Sequence, residues 1–235
     1  DLHVRSRRQR QMCIRDRGLL FFACEAEENT QVYSCNESVN EWAKQNLSDI
    51  RNMKRSDWNK LDEAHKNAAY VAFTQGQRVL LWKGKIEQVL SLGWSENETN
   101  HIKELQNFID QNPVYLQGKR LTEQQANQLD LFAYKWMTKA ENDFGWDKKL
   151  IYAIIASANN LIDKDGNIEI HTHQKRVLRS GESGSTSDCN CNQTYDFCLT
   201  NHCEDSKCEE ASIGCGWILA YACNGLCGGT STIIN

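Results

Sequence analysis

The feature that most constrains this chain is the concentration of cysteine near its C-terminus. Eight of its 11 cysteines fall within the 39 residues from Cys189 to Cys227. They are Cys189, Cys191, Cys198, Cys203, Cys208, Cys215, Cys223 and Cys227. A segment this short buries too little apolar surface to be stable alone, and four disulfides at about 2–4 kcal/mol each would supply the difference. The sequence therefore predicts a small disulfide-rich domain over residues 189–235, formed in an oxidising compartment.

Zinc binding is the alternative use of clustered thiols. Structural zinc sites favour C-x-x-C pairs, and the segment contains none. Disulfides are therefore the favoured interpretation, although eight cysteines allow about 105 pairings, and the sequence does not select among them. We expect no metal and no cofactor here.

The larger part, residues 34–173, is predicted to be a helical domain that ends in a short strand. Apolar residues recur at the three-four spacing of buried helix faces, including one predicted helix that carries Trp58 to Val71. Further helix starts are indicated by Thr74-x-x-Gln77, Ser95-x-x-Glu98, Thr122-x-x-Gln125 and Asp147. About six helices result. The predicted fold class is an all-α helical bundle followed by a small disulfide-rich C-terminal domain.

Catalytic and metal-binding patterns are weak in the helical part. The sequence lacks H-E-x-x-H and G-x-S-x-G, and His65 has no nucleophile at helical spacing. We therefore predict no catalytic residues and no enzyme activity. Residues 163–167 resemble half of a calcium loop, but a plain Asp-Gly turn is favoured because the first and last carboxylates are missing. Glu169, His171 and His173 alternate on one strand face, and without a fourth ligand a metal site there is disfavoured.

The first 17 residues are set apart from the rest. They carry six arginines and two aspartates, and the run at residues 11–17 resembles a translated sequencing adapter, so we exclude residues 1–17 from the fold. The remaining chain then has a net charge of -8 instead of -4. An acidic chain of this kind disfavours nucleic acid as a partner.

Residues 18–23 resemble the end of a lipoprotein signal, in which Ala23 precedes the cleavage point and Cys24 is acylated. The acidic run Glu25-Ala26-Glu27-Glu28 resembles the surface-export signal of Bacteroidetes lipoproteins, and residues 24–33 are predicted to be an acidic surface tether. A plain secretion signal or a buried apolar strand are the alternatives. The resemblance implies an outer-membrane lipoprotein, exposed on the cell surface and attached to the membrane by its lipid.

Residues 174–188 are predicted to be a flexible linker. Its second half is almost entirely Gly, Ser and Thr, which offer too little apolar area to offset the ordering entropy. The basic run at residues 174–179 is a candidate proteolysis site. From this boundary we expect the tail to fold only when oxidised and the helices to fold without disulfides. Cys35 is left without an assigned role.

The cysteine-rich segment resembles the bacteriocin fulvocin C and its relatives. The likeness rests on Cys189-Asn190-Cys191-Asn192, Tyr195-x-x-Cys198, Gly214-Cys215-Gly216 and Cys223-Asn224-Gly225, over about a fifth of the chain. One departure is Tyr221, which stands where the family pattern has a cysteine. The resemblance implies an antibacterial peptide that is displayed by, or released from, a surface lipoprotein.

Three functions remain open at this point. The first is a bacteriocin-type peptide that acts through an unknown receptor on a competing bacterium or on a host surface, with Trp217, Ile218, Leu219 and Tyr221 as its contact surface. Residues 188–235 carry six acids against one lysine, which disfavours a cationic membrane-lytic mechanism. The second is a non-toxic, disulfide-stapled binding module, and the third is a secreted enzyme with an unrecognised site.

The lipoprotein prediction has a direct test. With a complete signal restored upstream, Cys24→Ala should move the protein from the membrane fraction to the soluble fraction, because the thiol that carries the lipid is lost. Membrane fractionation and metabolic labelling with a fatty acid measure this. Unchanged membrane partition of the Cys24→Ala protein would rule out acylation at Cys24.

Overall fold

The computed structural model describes residues 31–34, 36–170, 191–194, 203–205 and 211–227. These residues form a mostly helical protein with a small C-terminal pair of strands. The helices are α1 Glu37–Gln45, α2 Leu47–Asn52, α3 Arg55–Trp58, α4 Glu63–Ala72, α5 Gln75–Leu90, α6 Glu96–Gln111, α7 Glu123–Phe144 and α8 Lys148–Ile155. The strands are β1 Cys203–Asp205 and β2 Gly225–Cys227, and 3-10 helices lie at Pro113–Leu116 and Trp217–Leu219.

The predicted helix starts are confirmed. Thr74, Ser95 and Thr122 each accept a hydrogen bond from the backbone N–H three residues on, and the Gln or Glu at that position bonds back to the cap, so each forms a capping box. Asp147 caps α8 in the same sense by accepting from the N–H of Leu150 at 2.8 Å. Local side-chain chemistry therefore sets these four boundaries.

The predicted fold class is confirmed in its coarse form: the described residues are mostly helical, and in the tail β1 pairs antiparallel with β2, with Cys203 opposite Cys227, so the chain is not a plain all-α protein. Two details are wrong. The single helix expected to carry Trp58 to Val71 is broken, because α3 ends at Trp58 and a new cap at Asp62 starts α4. The strand expected at residues 167–173 is reduced, over its described part, to a single bridge between Leu161 and Ile168.

Helix α5 lies at the centre of the helical region, which we define as residues 36–161. It contacts α3, α6 and the 3-10 helix at Pro113–Leu116, while α1 packs on α4. Its buried face includes Leu81, Trp82, Ile86 and Val89. Aromatic stacking joins α6 to α7, where the His101 and Trp136 ring centroids lie 4.5 Å apart.

A buried polar network fastens the chain segment after α8, residues 156–161, to the centre of the fold. Lys85 has no exposed surface, and its Nζ donates to the carbonyl of Asn159 at 2.5 Å. Arg55 donates to the carbonyl of Ala158 at 2.9 Å and to Oδ1 of Asn160 at 2.7 Å. Lys66 donates to Oδ1 of Asn159 at 2.8 Å.

This network explains how the basic side chains Arg55, Lys66 and Lys85 are tolerated in the core. A buried charge is costly unless hydrogen bonds replace its hydration, and here backbone carbonyls and amide oxygens supply them. Burial lowers the pKa of Lys85 well below 10.5, and the nearby Arg55 charge lowers it further. Burial also lowers the pKa of Arg55 to about 10, against a smaller opposing effect of Glu169.

Residues 211–221 of the cysteine-rich tail contribute to this core. Ala211, Ile213 and residues 218–221 belong to the same cluster of buried side chains as the helices. The independence expected from the linker therefore does not extend to packing, although the segment boundaries themselves stay a prediction.

Within the described ranges, no helix is both long enough and apolar enough to span a membrane.

Lys85 gives a test by pH. The unfolded chain binds a proton at Lys85 that the folded chain lacks, so the free energy of unfolding should rise with pH until pH reaches the unfolded pKa of 10.5. Where the folded chain has lost this proton and the unfolded chain still holds it, the slope can reach about 1.4 kcal/mol per pH unit. We expect Lys85→Met to flatten the slope in urea unfolding, whereas Lys83→Met, at an exposed position of the same helix, keeps it. Equal slopes for the two variants would contradict a protonation change at Lys85.

Candidate functional site: the docked C-terminal segment

Two disulfides are present in the described part of the tail. Cys191 is bonded to Cys203, and Cys215 is bonded to Cys223, with Cα–Cα distances of 6.0 and 5.2 Å. The first brings residues 191–194 beside the strand pair, where Cys191 and Gly225 also form a β-bridge. The prediction of disulfides in this segment is confirmed for these four cysteines.

The Asn and Gly residues of the bacteriocin-like motifs make specific contacts around the first disulfide. The side chain of Asn192 donates to the carbonyl of Ala222 at 2.7 Å, and Oδ1 of Asn224 accepts from the N–H of Gln193 at 2.8 Å. A Cβ on Gly225 would overlap Sγ of Cys203 and approach the carbonyl of Glu204 to 2.7 Å. Glycine at position 225 therefore lets the backbone lie directly against the disulfide.

The second disulfide closes a tight turn. The backbones of Cys215 and Tyr221 exchange two hydrogen bonds of 2.9 Å, and Leu219 donates back to Gly216 at 3.0 Å. Ile218 and Leu219 both have positive φ, 46° and 56°. Such angles are unfavourable for side chains of this size, and β-branched Ile is a marked exception, so the surroundings must hold the turn in place.

Those surroundings are the helical region. We call residues 211–221 the docking segment. The hydroxyl of Tyr70, at the end of α4, donates to the carbonyl of Ile218 at 3.1 Å. The hydroxyl of Tyr221 donates to Oδ1 of Asp130 on α7 at 2.6 Å. Ser212 donates to the carbonyl of Gly118 at 3.3 Å. Three separate parts of the helical region therefore contact the docking segment.

Arg78 forms the floor beneath this contact. It is 3% exposed, and its guanidinium donates to the carbonyls of Tyr70 at 3.0 Å, Val71 at 2.8 Å and Leu116 at 3.3 Å. The first two carbonyls lie in the last turn of α4, where a cation also offsets the helix dipole. Burial lowers the pKa of Arg78 and raises the pKa of Tyr70 to about 12. Tyr70 therefore remains a protonated hydrogen-bond donor at neutral pH.

The expected contact surface is not exposed in the intact chain. Ile218 is 1% exposed, Leu219 is 9% and Tyr221 is 8%, because each packs into the shared core. Trp217 is half-buried against the same core. In the intact chain these residues contact the helical region, and a role in contacting a partner stays a prediction.

Several other predicted site residues lie outside the described residues: Cys24, Cys189, Cys198, Cys208, His171 and His173. Cys227 is placed by its backbone in β2, opposite Cys203. The lipidation site and the remaining cysteine pairings therefore stay predictions.

The Asp-Gly turn at residues 163–167 is internally bonded. Oδ1 of Asp163 accepts from the N–H groups of Asp165 and Asn167 at 3.0 and 3.1 Å, and Oδ2 accepts from the Asn167 side chain at 2.7 Å. Among the described residues, no group of three His, Cys, Asp or Glu side chains is arranged to hold a metal.

A polar cleft lies beside Trp94 and Trp146. The indole N–H of Trp146 donates to Glu98 at 3.0 Å. Lys164 lies 4.8 Å from the ring centre of Trp94 and donates to the carbonyl of Gly93 at 2.8 Å. Because its charged groups are used to hold neighbouring segments together, the cleft serves the fold.

Sequence analysis missed Tyr70, Arg78 and Asp130 as contact residues. A single arginine or aspartate on an amphipathic helix is normally solvated, and nothing local distinguishes these two. The available signal was Tyr221, because a tyrosine hydroxyl that becomes buried requires a partner.

Removing the second disulfide tests whether the tail stabilises the helices. Closing so short a loop is worth about 2–3 kcal/mol in the chain-entropy model. We expect the Cys215→Ser/Cys223→Ser double variant to lower the free energy of unfolding of the helices by this amount, measured by circular dichroism at increasing urea concentration. The matched control is Cys191→Ser/Cys203→Ser, because the described residues of the loop that this disulfide closes do not belong to the shared core cluster. The loop closed by Cys215–Cys223 contains Ile218 and Leu219, which do belong to it. An unchanged helical transition in the first variant would show that the helices are stable without the docked loop.

Comparison with known proteins identifies no relative: no family model, no curated protein and no solved structure matches this chain.

Proposed function

We propose that this chain is an exported bacterial surface lipoprotein whose C-terminal segment is a bacteriocin-type, disulfide-stapled module. The observation that carries the proposal is the pair of disulfides at Cys191–Cys203 and Cys215–Cys223, because such bonds persist in oxidising compartments and are rare in the cytosol. The acylated cysteine would be Cys24, and residues 24–33 would extend from the anchor. Pairing of the other four tail cysteines would complete a four-disulfide module.

The chemistry of the tail supports a receptor-directed mode of action. Its net charge of -5 over residues 188–235 opposes adsorption to anionic lipid, so affinity must come from specific contacts. Trp217, Ile218, Leu219 and Tyr221 are the apolar candidates, and in the intact chain three of them are covered. The active form would therefore be a tail that has separated from the helical region.

A non-toxic binding module is the second candidate. The burial of the same residues favours it, because an intact chain that keeps its apolar contacts covered needs no target for them. In that case the exposed side chains beside the strand pair, Gln193, Thr194 and Glu204, would be the recognition element, and the docking segment would be structural.

A growth-inhibition assay separates the two candidates. The full chain is oxidised, cut at a protease site introduced within residues 180–187, and the tail is separated in denaturant with its disulfides intact. We expect the isolated tail to inhibit at least one strain of a panel of Gram-negative bacteria, and the intact chain to inhibit it at least about tenfold less, since its contact residues are covered. Reduced and alkylated tail is the control. Binding to cells without inhibition of any strain would favour the binding module.

A further inference from the structure

We infer that the helical region contains a binding site for the tail as a ligand, and that the docking segment stays bound there noncovalently after the linker is cut. The inference deepens the proposed function, on which its biological meaning rests: the helical region would act as the inhibitor of its own C-terminal module. The contacts between the docking segment and the helical region support the binding itself.

The docking segment is buried against residues that are far from it in sequence. Ala211, Ile213, Ile218 and Ala220 are at most 5% exposed, and they are buried in a cluster that consists mainly of helical residues. Even a Cβ on Gly214 would lie 3.6 Å from the Val71 side chain. The apolar side of this segment is therefore fitted to the helical region, as a peptide ligand is fitted to a groove.

Directional hydrogen bonds also join the docking segment to the helical region. The carbonyl of Ile218 is bonded by Tyr70, and that hydroxyl is in turn 3.4 Å from the indole nitrogen of Trp82. The phenol of Tyr221 is bonded by Asp130 at 2.6 Å. The Tyr70 bond is buried, so breaking it would leave a polar group unsatisfied, which gives the site specificity for this segment.

The docking segment is also restrained by bonds within the tail, independently of the linker. The Cys215–Cys223 bond and the paired backbones of Cys215 and Tyr221 close the turn within the tail itself. Because the disulfide already restricts the loop, docking costs less conformational entropy than it would for an open chain, which favours binding without the linker. The strained angles at Ile218 and Leu219 are held from both sides, by the disulfide and by the pocket.

The test uses the full chain with a protease site introduced within residues 180–187. After folding and oxidation the protein is cut without denaturant and analysed by size-exclusion chromatography and native mass spectrometry. We expect the two pieces to stay together at the mass of the intact chain. Separation of the wild-type pieces, while helical circular dichroism is unchanged, would overturn the inference.

Variants at the two polar bonds make the test specific. Tyr70→Phe with Asp130→Asn preserves shape but weakens both contacts, and should raise the dissociation constant of the cut complex by about 100-fold. Tyr134→Phe with Asp143→Asn changes two exposed positions of α7 and should leave it unchanged. Uncut samples of both variants are compared by circular dichroism to confirm folding. Equal dissociation constants for the two variants would overturn the assigned contacts.

The outcome is separable from toxicity. If the cut pieces stay together and no strain responds to the isolated tail, then the binding site stands and the bacteriocin proposal fails. If the pieces separate at once and the isolated tail inhibits growth, then the bacteriocin proposal stands and the helical region is not its inhibitor.

Discussion

Two buried basic side chains on one face of helix α5 hold segments of the helical region that lie far apart in sequence. Arg78 and Lys85 are seven residues apart, so they project from the same side of the helix with Trp82 between them. Arg78 donates to carbonyls at the end of α4 and in the 3-10 helix, whereas Lys85 donates to the carbonyl of Asn159 after α8. Since neither donor group can be left without acceptors in the core, each fixes the course of the segments that supply them.

The contact between the docking segment and the helical region depends on Arg78. Arg78 fixes the last turn of α4, and that turn presents the Tyr70 hydroxyl to the carbonyl of Ile218. A Cβ on Gly118 would overlap the Arg78 guanidinium, so glycine is required where the chain passes over it. The same glycine offers its carbonyl to Ser212 of the tail. The interior of the helical region and its contact with the tail therefore form one continuous arrangement.

What could be predicted from the sequence follows the range of the interactions. The capping boxes at Thr74, Ser95 and Thr122 involve groups three residues apart, and they were located correctly. The break between α3 and α4 was missed because the apolar spacing from Trp58 to Val71 continues across it, and spacing alone does not show that Asp62 starts a new helix.

The buried face of α5 illustrates the harder case. A prediction based only on the spacing of apolar residues cannot assign Arg78 and Lys85 to the core, although both are buried there. Their acceptors come from segments up to 74 residues away, and local patterns carry no information about such contacts. The same reason explains why the tail was expected to stand apart: Tyr221 and Asp130 are 91 residues apart in sequence.

Tyr221 shows what the coupling of tail and helices depends on. Its side chain reaches from the tail to the helical region. Its ring packs so closely on the turn that a Cβ on Gly216 would lie 2.6 Å from it, and its hydroxyl is bonded to Asp130. With tyrosine at this position, the shape of the turn and the packing of α7 are stabilised by the same contact, so each is more stable when the other is in place.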